Sequence, residues 1–381
     1  MTAAGSTLFA RSDASWITEW RRTLDWPILA TATGLIALGL LLSLAAGPVA
    51  AERMGYANSY IFVLKQAVFA VLAMAILLSF SILSRDWVRR IVAVIFVGSL
   101  ALMIVILAVG HEAKGGQRWL RFAGFSLQPS EFVKPALIVM AGWLLAQRDL
   151  FPQSPWIAIS SGLLVATAAL LLMQPDVGQT VLLSSAFMAV FFVSGMPRRL
   201  AGGFAACAAS VGGLLYLTLP HVRFRVDSFL NPGAYDTYQI DRAHDAIRRG
   251  GLLGAGPGEG TVKSQVPDVH TDFIYSVLAE EYGLIAALLL IAAFAFITLR
   301  GILQSARIAD PYPRAAAAGL FTLFGLQAAI NIGVNVGLMP AKGMTLPFIS
   351  SGGSSLLGSA LTIGLALALI RGRGHFRSGY V

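Results

Sequence analysis

Long apolar runs alternate with short polar segments along almost the whole chain. A membrane-spanning helix needs about 20 mostly apolar residues, and ten runs reach or approach that length. They cover residues 27–47, 60–83, 90–109, 132–146, 156–173, 180–196, 200–219, 273–299, 316–338 and 354–371. The runs at 132–146 and 180–196 are short and contain polar residues, so either could be tilted or broken. The pattern predicts an all-α polytopic membrane protein with about ten transmembrane helices.

The composition supports this interpretation. Of the 381 residues, 56% are hydrophobic and 12% are charged, whereas a soluble domain carries roughly 25% charged residues. A single large soluble helical core is therefore the weaker alternative. The net charge of +9 is explained by basic residues at the ends of apolar runs, and we expect no nucleic-acid partner. The single cysteine, Cys207, excludes an intramolecular disulfide.

The distribution of Lys and Arg predicts the orientation. In the short connecting segments these residues fall mainly on the side that carries both termini, which is typical of the cytoplasmic side. We predict a cytoplasmic N-terminal segment (1–26), a transmembrane domain (27–371) and a cytoplasmic tail (372–381). The seventh and eighth spans are joined by a large periplasmic loop at 220–272. The polar segments at 111–131, 220–272 and 339–353 then all lie on the outer face.

The first outer segment carries basic residues beside a double glycine. Lys114 and Arg118 suit a phosphate site, although an Arg–Trp pair at an interface is also typical of a membrane anchor. Glu131 and Lys134 are three residues apart at a helix start and so share one face. Lys134 lies deeper in the membrane and needs a partner or a wet cavity. A buried Glu–Lys pair is the structural alternative.

Two further polar segments have simpler interpretations. Gln174-Pro175-Asp176 interrupts two apolar runs, which predicts a tight outer turn in which Asp176 caps the following helix. Gln174 and Asp176 are therefore assigned a structural role. The glycine-rich segment 254–260 lacks the Gly-Lys-Ser/Thr ending of a phosphate loop, so we expect no nucleotide. Just before it, apolar residues at helical spacing between 240 and 247 predict a short amphipathic helix on the membrane.

Asp272 stands where the long polar loop enters an apolar run. A carboxylate at a membrane surface loses solvation, which favours a chemical role for it.

The last outer segment, 339–355, contains prolines, glycines and small hydroxyl residues. Such irregular backbone is tolerated at membrane depth only where protein buries it or water reaches it. It is therefore a candidate cavity wall, with a re-entrant packing element as the alternative.

These segments together resemble the SEDS family of cell-wall proteins (shape, elongation, division and sporulation) over nearly the whole chain. The matching motifs are Lys114–Leu120, Leu127–Glu131 with Lys134, Gln174–Asp176, Tyr238–Gln239, Pro267–Phe273 with Glu280–Glu281, and Asn331–Asn335 through to Ser355. Pro340–Pro347 is most similar to the division branch of the family. The chain departs from the family pattern at Asp268, where Glu is usual, and at Ser351, where Tyr is usual.

The resemblance implies the SEDS fold and an inverting peptidoglycan glycosyltransferase that polymerises lipid II and releases undecaprenyl pyrophosphate. It also implies a bacterial inner-membrane protein at the division septum, with a class B penicillin-binding protein transpeptidase and other division proteins as partners. Asp272 matches the family's catalytic acid. It could act as a general base or as a ligand of a divalent cation (Mg or Mn). A lipid II flippase and a transpeptidase-recruiting scaffold are the alternative functions.

Several polar residues are candidates for binding the pyrophosphate or the sugars of lipid II. They are Lys114, Arg118, Glu131, Lys134, Gln239, His270, Thr271, Lys342 and Ser350, with Arg223 and Arg225 as weaker choices. The basic members would steady the leaving group. His270 and Gln239 could orient Asp272 or a sugar.

Overall fold

The computed structural model describes residues 16–109, 111–113, 116–122, 125–235, 237–340 and 343–371. Lys114 and Lys342, two predicted pyrophosphate ligands, lie outside the described residues. The helices are α1 (Trp16–Thr23), α2 (Trp26–Arg53), α3 (Ile61–Ile82), α4 (Arg85–Val109), α5 (Ser130–Gln147), α6 (Trp156–Met173), α7 (Val177–Val193), α8 (Arg198–Thr218), α9 (Pro220–Leu230), α10 (Tyr238–Gly250), α11 (Ile274–Ala306), α12 (Pro311–Asn335) and α13 (Gly353–Ile370).

A helix occupies the position of each of the ten predicted spans. Within the described residues, seven helices are long and apolar enough to cross a membrane: α2, α3, α4, α6, α11, α12 and α13. An eighth candidate is the pair formed by α8 and α9, which is bent by 96°. α5 carries Glu131 and Lys134, and α7 has only 17 residues. α5 and α7 do not meet the length and composition of a membrane-spanning helix by themselves. The predicted number of ten crossings therefore stays a prediction.

α12 and α13 form the centre of the bundle. In their most apolar windows 72% and 83% of residues are buried, against 22% in α3 and α6, which are peripheral. Small residues let the central helices approach their neighbours closely. At Gly142 of α5, an added Cβ would lie 2.8 Å from the backbone nitrogen of Ala316 in α12. The bundle is therefore built around two helices that contact protein on nearly all sides.

A small antiparallel sheet interrupts the helical architecture between α4 and α5. Its strands are β1 (His111–Ala113), β2 (Gly116–Phe122) and β3 (Phe125–Leu127), in the order β1-β2-β3. The all-α prediction did not include these strands, because each is short and the segment has no clear alternation of apolar and polar residues. The other regular elements in the part of the chain that the structure describes are helices, as predicted.

Charged contacts mark the two ends of the bundle. At one end, the Nε atom of Arg300 lies 2.9 Å from Asp25, which precedes α2. At the other end of α2, Arg53 donates a hydrogen bond of 2.7 Å to the carbonyl oxygen of Val266. Since Asp25 and Arg53 bracket one long helix, the loop that leads to Asp272 lies at the end opposite to the Asp25–Arg300 pair.

The three polar segments meet at the Arg53 end. The hydroxyl of Ser354 donates to the carbonyl oxygen of Ser126 in β3 at 3.1 Å. The backbone nitrogen of Ser351 donates to the carbonyl oxygen of His270 at 2.9 Å. The predicted amphipathic helix is present as α10, which contacts α11 and has Ala243 and Ala246 buried, and its predicted position on the membrane stays a prediction. The fold thus gathers the segments that were selected from the sequence.

Candidate functional site

Asp272 lies two residues before α11 and is partly buried. It borders a cavity of about 30 Å³. The cavity is lined by Gln239, Asp272, Phe273, Asn331, Val334, Gly343 and Met344. These residues come from α10, from the loop before α11, from α12 and from the segment after α12.

Two asparagines of α12 hold the backbone of Asp272. The side-chain nitrogen Nδ2 of Asn331 donates to the carbonyl oxygen of Asp272 at 2.9 Å, and Nδ2 of Asn335 donates to the same atom at 3.0 Å. Both asparagines are buried, at 2% and 0% exposure. They are one helical turn apart and so project from one face of α12. Neither was assigned a role from the sequence, although their spacing within an apolar run was a signal for one.

The segment between α12 and α13 forms a wall of the cavity. Asn331 Nδ2 also donates to the carbonyl oxygen of Met344 at 2.6 Å. The hydroxyl of Ser350 donates to the carbonyl oxygen of Thr271 at 2.5 Å and accepts from the backbone nitrogen of Leu346 at 2.8 Å. Ser350, a predicted substrate ligand, therefore joins this wall to the Asp272 loop.

Gly343 has no side chain and so leaves space beside the Asp272 carboxylate. Its φ of +61° lies in the left-handed region, which favours glycine. A Cβ atom at this position would lie 3.4 Å from Oδ2 of Asp272. The wall therefore carries no side chain at the point where Gly343 faces the Asp272 carboxylate.

The other candidates around Asp272 occupy different environments. Gln239 is exposed on α10 and borders the same cavity. His270 is buried, with its ring centroid 4.8 Å from that of Phe62. The hydroxyl of Thr271 donates to the carbonyl oxygen of Asp268 at 3.2 Å. Asp268 has a φ of +51°, a conformation that Asp tolerates better than most residues. Their predicted roles in substrate binding stay predictions.

Glu131 and Lys134 form the buried pair that was the structural alternative. The ammonium Nζ of Lys134 lies 3.0 Å from Glu131, 2.8 Å from Oε1 of Gln179 and 3.3 Å from Oε1 of Gln327. Gln327 in turn donates to the carbonyl oxygen of Thr345 at 3.2 Å. Because an ammonium has three N–H donors, all of those of Lys134 have a partner in this arrangement. The network links α5, α7 and α12 to the cavity wall.

Arg118 is bound to the turn between α6 and α7. Its guanidinium donates to the carbonyl oxygens of Gln174 and Pro175 at 2.8 and 2.6 Å and lies 3.5 Å from Asp176. Asp176 caps α7 through the backbone nitrogen of Gln179, at 3.3 Å. Burial raises the pKa of Asp176, although the neighbouring Arg118 opposes this shift. Gln174 and Asp176 thus occupy the structural turn predicted for them.

Arg225 of α9 is electrostatically coupled to this region. Its charge interacts with those of Arg118, Asp176 and Asp272. Arg223, by contrast, lies 3.4 Å from Asp227 of the same helix. The predicted role of Arg225 in binding a charged substrate group therefore stays a prediction.

The residues present determine which kind of cation site is possible. Within the described ranges, no three His, Cys, Asp or Glu side chains are grouped as a metal site would require. Mg²⁺ is commonly held by one or two protein carboxylates together with substrate phosphates. The Asp272 carboxylate would fit a cation that it shares with a substrate pyrophosphate.

Comparison with known proteins identifies the family of the chain. The family model for FtsW, RodA and SpoVE, described as "Cell cycle protein", matches residues 25–373. The chain therefore belongs to the FtsW/RodA/SpoVE family, as the SEDS resemblance predicted.

Relatives and solved structures match almost the whole chain. "Probable peptidoglycan glycosyltransferase FtsW" of Caulobacter vibrioides is 48% identical over 373 residues, covering 98% of this chain and 96% of the relative. The protein of the same name from Geobacter metallireducens is 35% identical, covering 90% and 93%. A chain from "Structural coordination of polymerization and crosslinking by a peptidoglycan synthase complex" has a TM-score of 0.76 at 27% identity, covering 91% and 97%. The Thermus thermophilus Rod shape determining protein RodA has a TM-score of 0.67 at 25% identity, covering 91% and 96%.

Proposed function

We propose that this protein is a peptidoglycan glycosyltransferase that polymerises lipid II into glycan strands during septal cell-wall synthesis. Its relatives of 48% and 35% identity bear that enzyme name. The observation that carries the proposal is the environment of Asp272. Its carboxylate borders a cavity at the end of the bundle, and two buried amides of α12 hold its backbone.

This arrangement fits a direct transfer. Asp272 takes the proton from an acceptor sugar hydroxyl, whose oxygen then attacks the anomeric carbon of the donor. A new C–O bond forms there, the bond to pyrophosphate breaks, and the configuration inverts. The leaving group remains on the lipid as undecaprenyl pyrophosphate. Arg225, whose charge interacts with that of Asp272, is a candidate for steadying the pyrophosphate, and Arg118, Lys114 and Lys342 remain candidates for the same role.

The membrane arrangement follows from the two ends of the bundle. We place the Asp25–Arg300 end in the cytoplasm and the Asp272 end, with the loop 220–272, in the periplasm. Basic residues at the first end support this orientation. A class B penicillin-binding protein is the proposed partner, because a solved structural relative belongs to a complex described as coordinating polymerization and crosslinking.

Reconstitution in liposomes tests the activity. The purified protein, with a class B penicillin-binding protein whose transpeptidase is blocked by a β-lactam, is supplied with lipid II, and glycan chains are resolved on a gel. We expect polymer from the wild type and from Asp245→Asn, a control on α10, where Asp245 is 41% exposed. Asp272→Ala and Asp272→Asn should yield none. Polymer formed at the normal rate by Asp272→Ala would refute the proposal.

The same assay separates the alternative functions. A flippase would move lipid II across the bilayer without producing polymer. A scaffold would bind its partner and leave lipid II unchanged. Chelation followed by re-addition of Mg²⁺ or Mn²⁺ tests the role of a cation. If Asp272 is a base only, chelation leaves the rate unchanged. If it shares a cation with the pyrophosphate, polymerisation stops and returns with the metal.

A further inference from the structure

α11 is broken near its start. Gly283 has φ +79° and ψ −178°, which interrupts the helical hydrogen bonds on both sides. The segment 251–256 supplies hydrogen-bond partners for backbone groups of α11 on either side of the break. The backbone nitrogens of Ala255 and Gly256 donate to the carbonyl oxygens of Glu280 and Glu281, at 2.9 and 3.0 Å. Leu284 donates in the opposite direction to the carbonyl oxygen of Gly251, at 2.9 Å.

Glycine is required on both sides of this junction. A Cβ at Gly283 would overlap with the carbonyl oxygen of Leu252, and a Cβ at Gly254 would overlap with that of Glu281. Both glycines also have φ in the left-handed region, at +79° and +90°. The glycine-rich sequence, which does not form a nucleotide loop, therefore serves to bring two backbones into contact.

Two buried acids sit next to the break. Glu280 is 0% exposed, and its two carboxylate oxygens accept hydrogen bonds from the backbone nitrogens of Val262 and Lys263, at 2.7 and 2.8 Å. Glu281 is 1% exposed and forms an ion pair with the ammonium of Lys263. A buried carboxylate is costly unless it is paired and hydrogen-bonded. A movement of the backbone at 262–263 would therefore leave the buried Glu280 carboxylate without these hydrogen bonds.

The ion pair closes a loop that contains Asp272. Lys263 lies nine residues before Asp272 and Glu281 nine residues after it. Between Lys263 and Asp272, Arg53 holds the carbonyl oxygens of Ser264 and Val266. Between Asp272 and Glu281, residues 273–281 are all buried. The chain on each side of Asp272 is therefore held at a fixed point near the break in α11.

We propose that Lys263, Glu280 and Glu281 are positioning residues for Asp272. The Lys263–Glu281 pair and the Glu280 carboxylate fix the two ends of the loop, and so determine where the Asp272 carboxylate lies relative to the acceptor hydroxyl. This inference rests on the proposed glycosyltransferase function. None of the three residues borders the cavity, so they act through Asp272 and not on substrate.

Kinetics on reconstituted protein distinguish positioning from a purely structural role. In the liposome assay, Lys263→Met and Glu280→Gln should lower kcat by roughly 10- to 100-fold, since a misplacement of about 1 Å can cost on the order of 10²-fold. KM for lipid II should stay within about twofold, because ground-state binding is untouched. Lys263→Arg, which keeps the charge, should retain most of kcat. Arg248→Met, which removes an exposed charge from α10, is the matched control and should leave both constants unchanged.

A second variant covers the case in which Lys263→Met fails to fold. Lys263→Met/Glu281→Met removes both charges together, so it leaves no unpaired buried ion and should fold. We expect it to reach wild-type thermal stability in detergent while kcat remains lowered and hydrogen exchange at 264–272 is faster.

Each outcome has one meaning. A folded double variant with wild-type kcat would overturn the positioning role. A parallel rise in KM and fall in kcat would also overturn it, since substrate binding would then be affected. If the wild type makes no polymer while Asp272→Ala behaves identically, the proposed function itself fails. Faster exchange at 264–272 in the double variant would still show that the pair holds the loop.

Discussion

The amide of Asn331 is bound to Asp272 through the main chain: its Nδ2 atom lies 2.9 Å from the carbonyl oxygen of Asp272. The same nitrogen lies 2.6 Å from the carbonyl oxygen of Met344 in the facing wall. One buried side chain therefore sets the width of the cavity at the acid, because it fixes the backbone on both sides.

Replacing Asn331 should loosen both sides of the cavity. Asn331→Leu leaves two carbonyl oxygens with fewer buried donors, which should cost about 2 kcal/mol or more. We expect a lower thermal stability in detergent and a loss of polymerisation. Gln304→Leu at the opposite end, where Gln304 donates to Asp25 at 3.4 Å, is the control and should keep full activity. Normal polymerisation by Asn331→Leu would show that Asn335 holds Asp272 without it.

Asn331→Asp probes the charge of the cavity. It places a second carboxylate beside Asp272, and like charges disfavour ionisation of each other. If Asp272 is the base, the acidic limb of the pH–rate profile should move to higher pH. The measurement is the initial polymerisation rate from about pH 5 to pH 9, the range in which such a shift is visible. An unchanged limb in an active variant would argue against a base at this position.

Gly343→Ala tests the space in front of the acid. The new methyl group would lie 3.4 Å from Oδ2 of Asp272, and the positive φ would strain the wall. We expect the polymerisation rate to fall about tenfold for a cost of about 1 kcal/mol in stability. Gly55→Ala is the matched control, because Gly55 has a φ of +71° with no atom near its added Cβ. Equal rates for the two variants would mean that the space in front of the Asp272 carboxylate does not limit polymerisation.

The buried Glu131–Lys134 pair should behave differently from an exposed pair of the same spacing. Lys134→Met leaves a buried carboxylate without its cation, which should cost about 3–5 kcal/mol. Glu131→Gln/Lys134→Met should recover most of that loss. Arg89→Met removes one partner of an exposed pair, with side chains 36% and 73% exposed, and should cost less than about 1 kcal/mol. A double variant that folds but does not polymerise would support the predicted substrate role, whereas full activity would exclude it.

Asp176 should make stability depend on pH. Its pKa is raised above the ordinary 3.8, so the folded protein keeps a proton that the unfolded chain has released. Stability therefore falls as pH rises from about 3.8 through the folded pKa. Asp176→Asn removes this dependence while keeping a side chain that caps α7, so at pH 7 it should be at least as stable as the wild type.

Asp176→Ala separates the cap from the charge. It loses the cap on α7 as well as the charge, so it should be about 1 kcal/mol less stable than Asp176→Asn at every pH. Thermal unfolding in detergent between about pH 4 and pH 7 provides the comparison. If the Asn variant is as unstable as the Ala variant at neutral pH, the ion pair with Arg118 outweighs the cap.

The helices and the catalytic candidate were predictable because they depend on local features. Apolar runs located ten helix positions, and the entry of a polar loop into an apolar run identified Asp272. The asparagine clamp was not predictable, since the distance from Asn331 to Asp272 depends on how α12 packs against the loop. The same holds for Lys134, whose partners Gln179 and Gln327 come from helices far away in sequence.

The break in α11 has a consequence for protein engineering. Residues 273–281 are buried without exception, whereas after Gly283 the buried positions return only every three or four residues. One continuous apolar segment of the sequence thus contains a fully buried part and a part with one buried face. A redesign for solubility in water could replace Leu284, Ile285, Leu288 and Leu289 with polar residues, because all four are between 43% and 66% exposed. Polar substitutions in the buried segment 273–281 would instead disrupt the packing that supports Asp272.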